Sequence, residues 1–110
     1  INLLCLAGFM RILSNEFIKK CKFKIINIHP SLLPKYKGLN THERAIQAGD
    51  KYAGSTVHYV TAKLDSGKKI LQTKVKILKK DKPNSLANRV LKAEHIIYPK
   101  AVDIVCNKII

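Results

Sequence analysis

The sequence has few cysteines, few glycines and no long apolar run, and each shortage excludes a class of protein. Its apolar runs stay well short of the roughly 18 residues that a membrane-spanning helix needs, and its start does not resemble a signal peptide. The three cysteines are far apart, without a CxxC pair, and the four histidines do not stand at zinc-site spacings from them. We therefore expect no metal, no membrane span and reduced thiols in a cytoplasmic protein.

Glycine is scarce where a nucleotide-binding domain needs it most. A doubly wound domain normally builds a glycine-rich phosphate turn after its first strand. Here the first apolar segment, at residues 2–7, is followed by a single glycine, Gly8. The phosphate-binding turn of such a domain is therefore missing from the chain.

Acidic residues are scarce as well, with seven Asp and Glu against 21 Lys and Arg and a formal net charge of +14. Such a charge is typical of proteins that bind nucleic acids or other polyanions. Only Arg11, Arg44 and Arg89 are arginines, the residue usually favoured for phosphate and base recognition. Because the lysines are spread along the whole chain, a general lysine bias explains the charge as well. We predict no nucleic-acid partner and keep a basic nucleic-acid-binding module as an alternative.

The apolar pattern predicts one small α/β domain with the order β-α-β-α-β-β-α. Helices between the early strands indicate a mostly parallel sheet with flanking helices. The last two strands follow each other directly, so they form either an antiparallel hairpin or an extension of the sheet edge. Asn40 and Glu43 make a weak capping box for the second helix, and Pro99 should kink or end the third. The predicted strands cover residues 2–7, 24–28, 54–61 and 70–78, and the predicted helices cover residues 15–21, 40–49 and 85–106.

The most informative segment is KIINIHPSLLPKYKG, at residues 24–38. It starts as an apolar strand and breaks at Pro30, because proline removes a backbone donor and fixes φ. Asn27 and His29 are two residues apart and therefore point to the same side of an extended strand. An amide and an imidazole thus stand side by side where a strand opens into a loop, the usual place for ligands in open α/β sheets. A lone histidine at a strand end is more often structural, but with the neighbouring asparagine and proline a functional site is as well supported as a structural role.

Asp65 and Glu94 are candidate carboxylates. Asp65 precedes Ser-Gly in a predicted turn, where an aspartate ordinarily bonds its own backbone. If that turn folds over the end of the strand at 24–28, Asp65 is the natural carboxylate for His29. Glu94 lies beside the apolar stripe of the last helix, so its carboxylate either reaches solvent or faces a ligand.

His42, His58 and the backbone of residues 9–13 are weaker candidates. His42 lies in the first helical turn after the 24–38 segment and faces either the site or solvent. His58 lies in the middle of a strand, so we expect a buried or half-buried histidine. The run at 9–13 follows a buried strand, and its backbone groups could bond a flat heterocycle.

Three motifs, NIHPSLLPKYKG, GSTVHYVTAKLDSG and KAEHIIYP, together resemble the folate-dependent formyltransferase family. The HPSLLP core is shared by that whole family. Together with THERAIQAGD and STVHYVT, the first motif is closer to the phosphoribosylglycinamide formyltransferases than to formyltetrahydrofolate deformylases or methionyl-tRNA formyltransferases. The resemblance implies a Rossmann-like formyltransferase fold, of which residues 1–110 form the C-terminal half.

The resemblance also implies a reaction and a set of site residues. The reaction transfers a formyl group from 10-formyltetrahydrofolate to the amine of glycinamide ribonucleotide in de novo purine (IMP) biosynthesis. His29 would be the catalytic histidine, Asn27 its partner and Asp65 the aspartate that tunes the histidine. Contacts to the folate are implied for Met10, Arg11, Ile12, Leu13, Asn27, Thr61, Ala62, Lys63, Leu64 and Asp65. Contacts to the glycinamide substrate are implied for Leu91, Lys92, Ala93 and Glu94.

Two departures from the family pattern bear on these implications. The family's N-terminal half, with its phosphate-binding loop, is absent. Residues 1–110 are therefore expected to be a partial domain, inactive alone, whose partner is a missing half or a second copy. The turn after Asp65 reads SGKK in place of a Gly-Gly-Pro-like turn, which affects how far Asp65 reaches. Three alternatives stay open: a formyltetrahydrofolate hydrolase, the basic nucleic-acid-binding module and an inactive remnant.

Overall fold

The computed structural model describes residues 3–7, 24–61 and 67–109. The elements in these ranges are β1 (Leu3–Ala7), β2 (Lys24–His29), α1 (Thr41–Gln47), β3 (Tyr52–Tyr59), β4 (Lys69–Lys76) and α2 (Pro83–Ile109). All four predicted strands are confirmed to within two residues at either end. The helix predicted at 15–21 lies outside the described residues. Neither α1 nor α2 is both long enough and apolar enough to cross a membrane.

The four strands form one sheet in the order β1-β2-β3-β4. β1 and β2 pair in parallel, whereas the β2–β3 and β3–β4 pairs are antiparallel. The α/β class and the hairpin of the last two strands are confirmed, but parallel pairing is less frequent in this part of the sheet than predicted. The length of α1 explains the difference: its seven residues span about 10 Å, whereas a crossover must run back along a strand of about 20 Å. The chain therefore re-enters the sheet at the end where β2 left it.

The main hydrophobic core lies between the sheet and α2. Ile26 and Ile28 of β2 and Val57 of β3 point toward Ala101 and Val105 of α2, and all five are buried. A second cluster lies nearer the start of α2 and consists of Ala53, Leu86 and Val90. One face of β2 and β3 is thus committed to packing against α2, so polar side chains on these strands must occupy the other face.

Helix α2 continues through Pro99, as the predicted range to residue 106 requires; of the two effects predicted for this proline, a kink or an end, it does not end the helix. A proline inside a helix removes one backbone hydrogen bond and crowds the preceding turn. Ala101 and Val105 follow it on the buried side and are 0% and 1% exposed. Their packing against the sheet offsets the cost of the proline and holds the second half of α2 in place.

Asp81 fastens the start of α2. Its carboxylate accepts hydrogen bonds from the backbone N–H of Leu78 at 2.7 Å and from the Ser85 hydroxyl at 2.9 Å. Arg89 donates to both carboxylate oxygens, and this guanidinium holds the pKa of the Asp81 carboxyl well below its ordinary value. Because the shift is downward, the pair stabilises the fold above the ordinary carboxyl pKa of about 4 and is lost only in stronger acid.

The start of α1 differs from the prediction. Asn40 has a left-handed backbone (φ 57°) and its side chain makes no capping hydrogen bond, so the predicted capping box with Glu43 is wrong. A capping side chain needs extended backbone at that position to reach the first helical N–H groups. Thr41 instead donates its hydroxyl to the carbonyl of Pro30 at 2.6 Å. This bond ties α1 to the loop that follows β2.

A β-bulge interrupts the pairing of β3 with β4. Val57 pairs with Leu71, whereas its neighbour His58 pairs with Lys69, so Ile70 is the extra residue. Ile70 and Leu71 are both half-buried for this reason, and both pack against the main core. From Leu71 onward the predicted alternation of half-buried and exposed residues is confirmed.

Gly54 of β3 has no room for a side chain. A Cβ at this position would lie 1.9 Å from the carbonyl oxygen of Thr73 and 2.8 Å from a methyl carbon of Leu32. We expect Gly54→Ala to lower the free energy of unfolding by about 2–3 kcal/mol, measured by urea denaturation. Gly49→Ala is the matched control, because Gly49 has a φ of +72° but no neighbour within 4 Å of the added atom. In this variant the free energy of unfolding should fall only by the cost of a left-handed backbone, about 1–2 kcal/mol. Wild-type stability of Gly54→Ala would contradict the described approach of β3 and β4.

Candidate active site

Asn27 and His29 lie on the face of β2 that is turned away from α2. They alternate with Ile26 and Ile28, which pack into the main core, so the prediction that they share one side is confirmed. Asn27 is 4% exposed and His29 is 0% exposed. The residues paired with them in β3, His58 and Thr56, are buried on the same face. Two potentially reactive side chains are thus held in a polar layer largely removed from solvent.

The loop after Pro30 folds back over His29. The Nε2 atom of His29 lies 2.8 Å from the carbonyl oxygen of Tyr36. The backbone N–H of Ser31 donates to the carbonyl of His29 at 2.8 Å, and the Ser31 hydroxyl donates to the carbonyl of Lys35 at 2.6 Å. These bonds close the loop into a compact turn that covers the imidazole.

Thr56 anchors this loop to the sheet. Its buried hydroxyl donates to the carbonyl of Ser31 at 2.8 Å and accepts from the N–H of Leu33 at 3.1 Å. Gln72 of β4 donates to the same hydroxyl and to the carbonyl of Leu33, both at 2.9 Å. Thr56 and Gln72 are not among the residues predicted from the sequence. The available signal was the alternation of β3, which places Thr56 on the same face as His58.

The structure resolves the alternatives for His42 and His58. His42 is half-buried in the first turn of α1, and its Nδ1 atom is buried without a hydrogen-bond partner among the described residues. Burial lowers the pKa of its imidazole, and the nearby His29 lowers it further. His42 therefore lies near His29 in the site, and its imidazole resists protonation there. His58 is buried as predicted, with Nδ1 2.9 Å from the carbonyl oxygen of Tyr59.

A cavity of about 340 Å³ lies on the other side of β2, against α2. Its lining residues are Ile28, Leu91, Glu94, His95, Tyr98 and Pro99. Burial raises the pKa of the Glu94 carboxyl, and the nearby His95 charge and Ser55 hydroxyl oppose that shift. Of the four predicted substrate-contacting residues, Leu91 and Glu94 line this cavity and Lys92 and Ala93 do not. Ile28 separates the cavity from the polar layer of Asn27 and His29.

Most predicted folate-contacting residues fall outside the described part of the chain. These are Met10, Arg11, Ile12, Leu13, Ala62, Lys63, Leu64 and Asp65. Thr61 is described and exposed just beyond the end of β3. The described ranges contain no group of three His, Cys, Asp or Glu side chains that could hold a metal ion.

Similarity to known proteins identifies the family. Residues 1–102 match the formyl transferase family. The chain belongs to this family. The phosphoribosylglycinamide formyltransferase of Escherichia coli strain K12 is 48% identical over 101 residues, which cover 92% of this chain and 48% of that protein. The trifunctional purine biosynthetic protein adenosine-3 of Drosophila melanogaster is 47% identical over 107 residues, covering 97% of this chain and 8% of that protein.

A solved structure gives the same result for the fold. The phosphoribosylglycinamide formyltransferase from Anaplasma phagocytophilum superposes with a TM-score of 0.92 at 52% sequence identity, covering 98% of this chain and 53% of that chain. The predicted Rossmann-like formyltransferase fold is thereby confirmed. This chain spans about half the length of the bacterial formyltransferases that it matches.

The anchoring role of Thr56 can be tested with a nearly isosteric change. Thr56→Val leaves the bonding groups of Ser31, Leu33 and Gln72 without their shared hydroxyl. We expect a loss of about 1–3 kcal/mol in the free energy of unfolding and faster hydrogen exchange at the Leu33 amide. Thr73→Val in the adjacent strand is the control and should change neither quantity much. Unchanged exchange at Leu33 in the Thr56 variant would contradict the anchor.

Proposed function

We propose that this chain supplies the formyl-transfer half of an enzyme that formylates the amine of glycinamide ribonucleotide, with 10-formyltetrahydrofolate as donor. The observation that carries the proposal is the buried Asn27–His29 pair at the end of β2, in a chain of the formyl transferase family. The relatives named phosphoribosylglycinamide formyltransferase support this choice of reaction within the family. Cys5 and Cys106 are free thiols, which suits the reducing cytoplasm where we place the activity.

Asn27 is suited to stabilise the charge that develops during the reaction. The primary amine attacks the formyl carbon, and the carbonyl oxygen becomes an oxyanion in a tetrahedral intermediate. The side-chain amide of Asn27 can donate a hydrogen bond to that oxygen. One such donor in a site shielded from water is worth about 3–4 kcal/mol of transition-state stabilisation.

His29 is suited to handle the proton in the same step. The attacking amine must lose a proton, and the folate nitrogen must gain one before it leaves. An imidazole can accept and return a proton near neutral pH, which typically contributes about 10²- to 10⁴-fold in rate. In the proposal Asp65 tunes this imidazole through its negative charge. The amine is itself a nucleophile, so the step needs no metal.

The remaining parts of the site are assigned to the two substrates. In the proposal, the cavity beside α2 receives part of the glycinamide substrate, with Leu91 as an apolar wall and Glu94 as a hydrogen-bond acceptor. The backbone groups at 10–13 and 61–65 hold the folate, as the family resemblance implies. The phosphate site is assigned to the part of the relatives' length that this chain does not span.

The roles proposed for His29 and Asp65 can be tested by replacing each residue in the protein as its gene encodes it. His29→Ala and Asp65→Asn should each lower kcat by about 10²- to 10⁴-fold, while the Kd for a reduced folate changes little. Formyl transfer is followed by the absorbance change of the folate. Lys79→Ala, at an exposed position in the loop before α2, is the control. Near-normal turnover of His29→Ala would refute the assignment, and release of formate without the amine substrate would favour the hydrolase.

Glu94→Gln separates substrate binding from stability. Because burial raises the folded-state pKa of Glu94, the ionised carboxylate costs stability as the pH rises through that value. We expect Glu94→Gln to have an equal or higher Tm than the wild type at pH 7, together with a raised KM for the glycinamide substrate. Glu43→Gln, on the exposed side of α1, should change neither value. A Glu94 variant with lower Tm and unchanged KM would contradict the proposed role.

A further inference from the structure

The contact between His29 and Tyr36 determines which imidazole nitrogen carries a fixed proton. The carbonyl oxygen of Tyr36 lies 2.8 Å from Nε2. A carbonyl oxygen can only accept a hydrogen bond, so Nε2 must be the donor. Nε2 therefore keeps its hydrogen in the neutral ring as well as in the charged ring. The proton that the ring gains and loses is then the one on Nδ1.

The Tyr36 carbonyl is held in place by the Tyr36 clamp, which consists of Tyr36, Arg44 and Asp50. Tyr36 has a φ of +55°, a left-handed conformation that costs a bulky side chain about 1–2 kcal/mol. Its hydroxyl donates to the Asp50 carboxylate at 2.5 Å, and the Arg44 guanidinium lies 5.2 Å from the centre of its ring. These side-chain contacts compensate for the strained backbone at Tyr36.

Arg44 also fastens the backbone beyond Tyr36. Its Nη1 atom donates to the carbonyl of Lys37 at 2.7 Å and to that of Leu39 at 3.1 Å. Both contacts come from α1, which is itself tied to the carbonyl of Pro30 through Thr41. The loop segment that carries the Tyr36 carbonyl is therefore braced from one helix at both of its ends.

We propose that Tyr36, held by Arg44 and Asp50, is a positioning residue whose carbonyl keeps the proton on Nε2 of His29, so that Nδ1 exchanges the proton during formyl transfer. The inference rests on the proposed catalytic role of His29. It adds the identity of the working nitrogen and the residues that select it. Because Tyr36 acts through its backbone carbonyl, its side chain fixes the direction in which that carbonyl points and takes no part in the reaction.

Several charged and titratable groups surround this contact, and they bear on any pH profile. His42 faces His29 from α1, and His58 lies on the same face of the sheet from β3. Lys35 lies 3.6 Å from the Asp50 carboxylate and adds to the charges around the clamp. Asp65, the proposed carboxylate partner, lies outside the described residues. The hydrogen bond to Asp50, and then burial, raise the pKa of the Tyr36 hydroxyl, so it remains a donor at neutral pH.

The first test measures the tautomer directly in the wild-type protein as its gene encodes it. In ¹⁵N-labelled protein, long-range ¹H–¹⁵N correlation spectra distinguish a protonated ring nitrogen from an unprotonated one, and His29→Gln assigns the signals. In the neutral ring we expect a protonated Nε2 and an unprotonated Nδ1. A neutral ring with its hydrogen on Nδ1 would overturn the inference. This measurement does not depend on turnover.

The second test weakens the clamp. Tyr36→Phe and Asp50→Ala both remove the bond between the hydroxyl and the carboxylate, whereas Asp50→Asn keeps an acceptor for it. We expect Tyr36→Phe and Asp50→Ala to lower kcat up to about tenfold with KM nearly unchanged, the effect of one lost hydrogen bond. Asp50→Asn should recover most of kcat.

The control and the contrary outcomes are equally specific. Gln47→Ala, also on α1 but bonded only to Glu43 in the described contacts, should leave kcat unchanged. Unchanged kcat in both Tyr36→Phe and Asp50→Ala would overturn the proposal, as would an effect on KM alone. Full turnover of His29→Ala would instead be a failure of the proposed function. An inactive His29→Ala with the hydrogen on Nδ1 in the wild type would be a failure of this inference only.

Discussion

Strand β2 is buried on both faces, and the rest of the site depends on this constraint. On one side Ile26 and Ile28 pack against α2, and on the other Asn27 and His29 are almost fully enclosed. Burying polar groups is costly unless they form hydrogen bonds. The face that carries Asn27 and His29 therefore requires a polar covering segment, called the lid here, and not simply a loop that passes over it. The loop after Pro30 and α1 form that lid, and Thr56 of β3 bonds to the loop from the sheet. The proposed chemistry takes place in the layer between lid and sheet.

The lid is held by side chains that bond backbone carbonyls, because a loop has no ladder of its own. Thr56 bonds the Ser31 carbonyl, Thr41 bonds the Pro30 carbonyl and Arg44 bonds two carbonyls beyond Tyr36. Each bond joins the loop to a regular element, so the position of the loop follows from the sheet and from α1. A histidine covered by such a loop keeps one orientation, which general acid–base chemistry requires. The Tyr36 carbonyl holds the imidazole itself in the same way, by accepting a hydrogen bond from it.

Sequence reasoning predicted what depends on local periodicity and missed what depends on tertiary approach. The strands, the shared side of Asn27 and His29, and the alternation from Leu71 onward all follow from a period of two. The bulge at Ile70 and the left-handed backbone at Tyr36 do not, because neither residue type favours these conformations by itself. Pro99 within α2 is a further case, because the burial of Ala101 and Val105 beyond it outweighs the local preference of proline to end a helix. The order of the motifs predicted the candidate site, but it did not predict Thr56 and Gln72, the residues that anchor the loop over it.

The proposed catalytic pair and the cavity beside Glu94 lie on opposite faces of β2, with Ile28 between them. In the proposed function one substrate must reach both, so it has to pass the carboxyl end of the strand instead of crossing the sheet. β2 ends at His29, and Pro30 then directs the chain away from the sheet. The proline therefore has two effects in this proposal. It ends β2, and it leaves the end of the strand open toward α2 while the loop covers the other face. A continuous strand at this position would separate the proposed amine site from the proposed binding cavity.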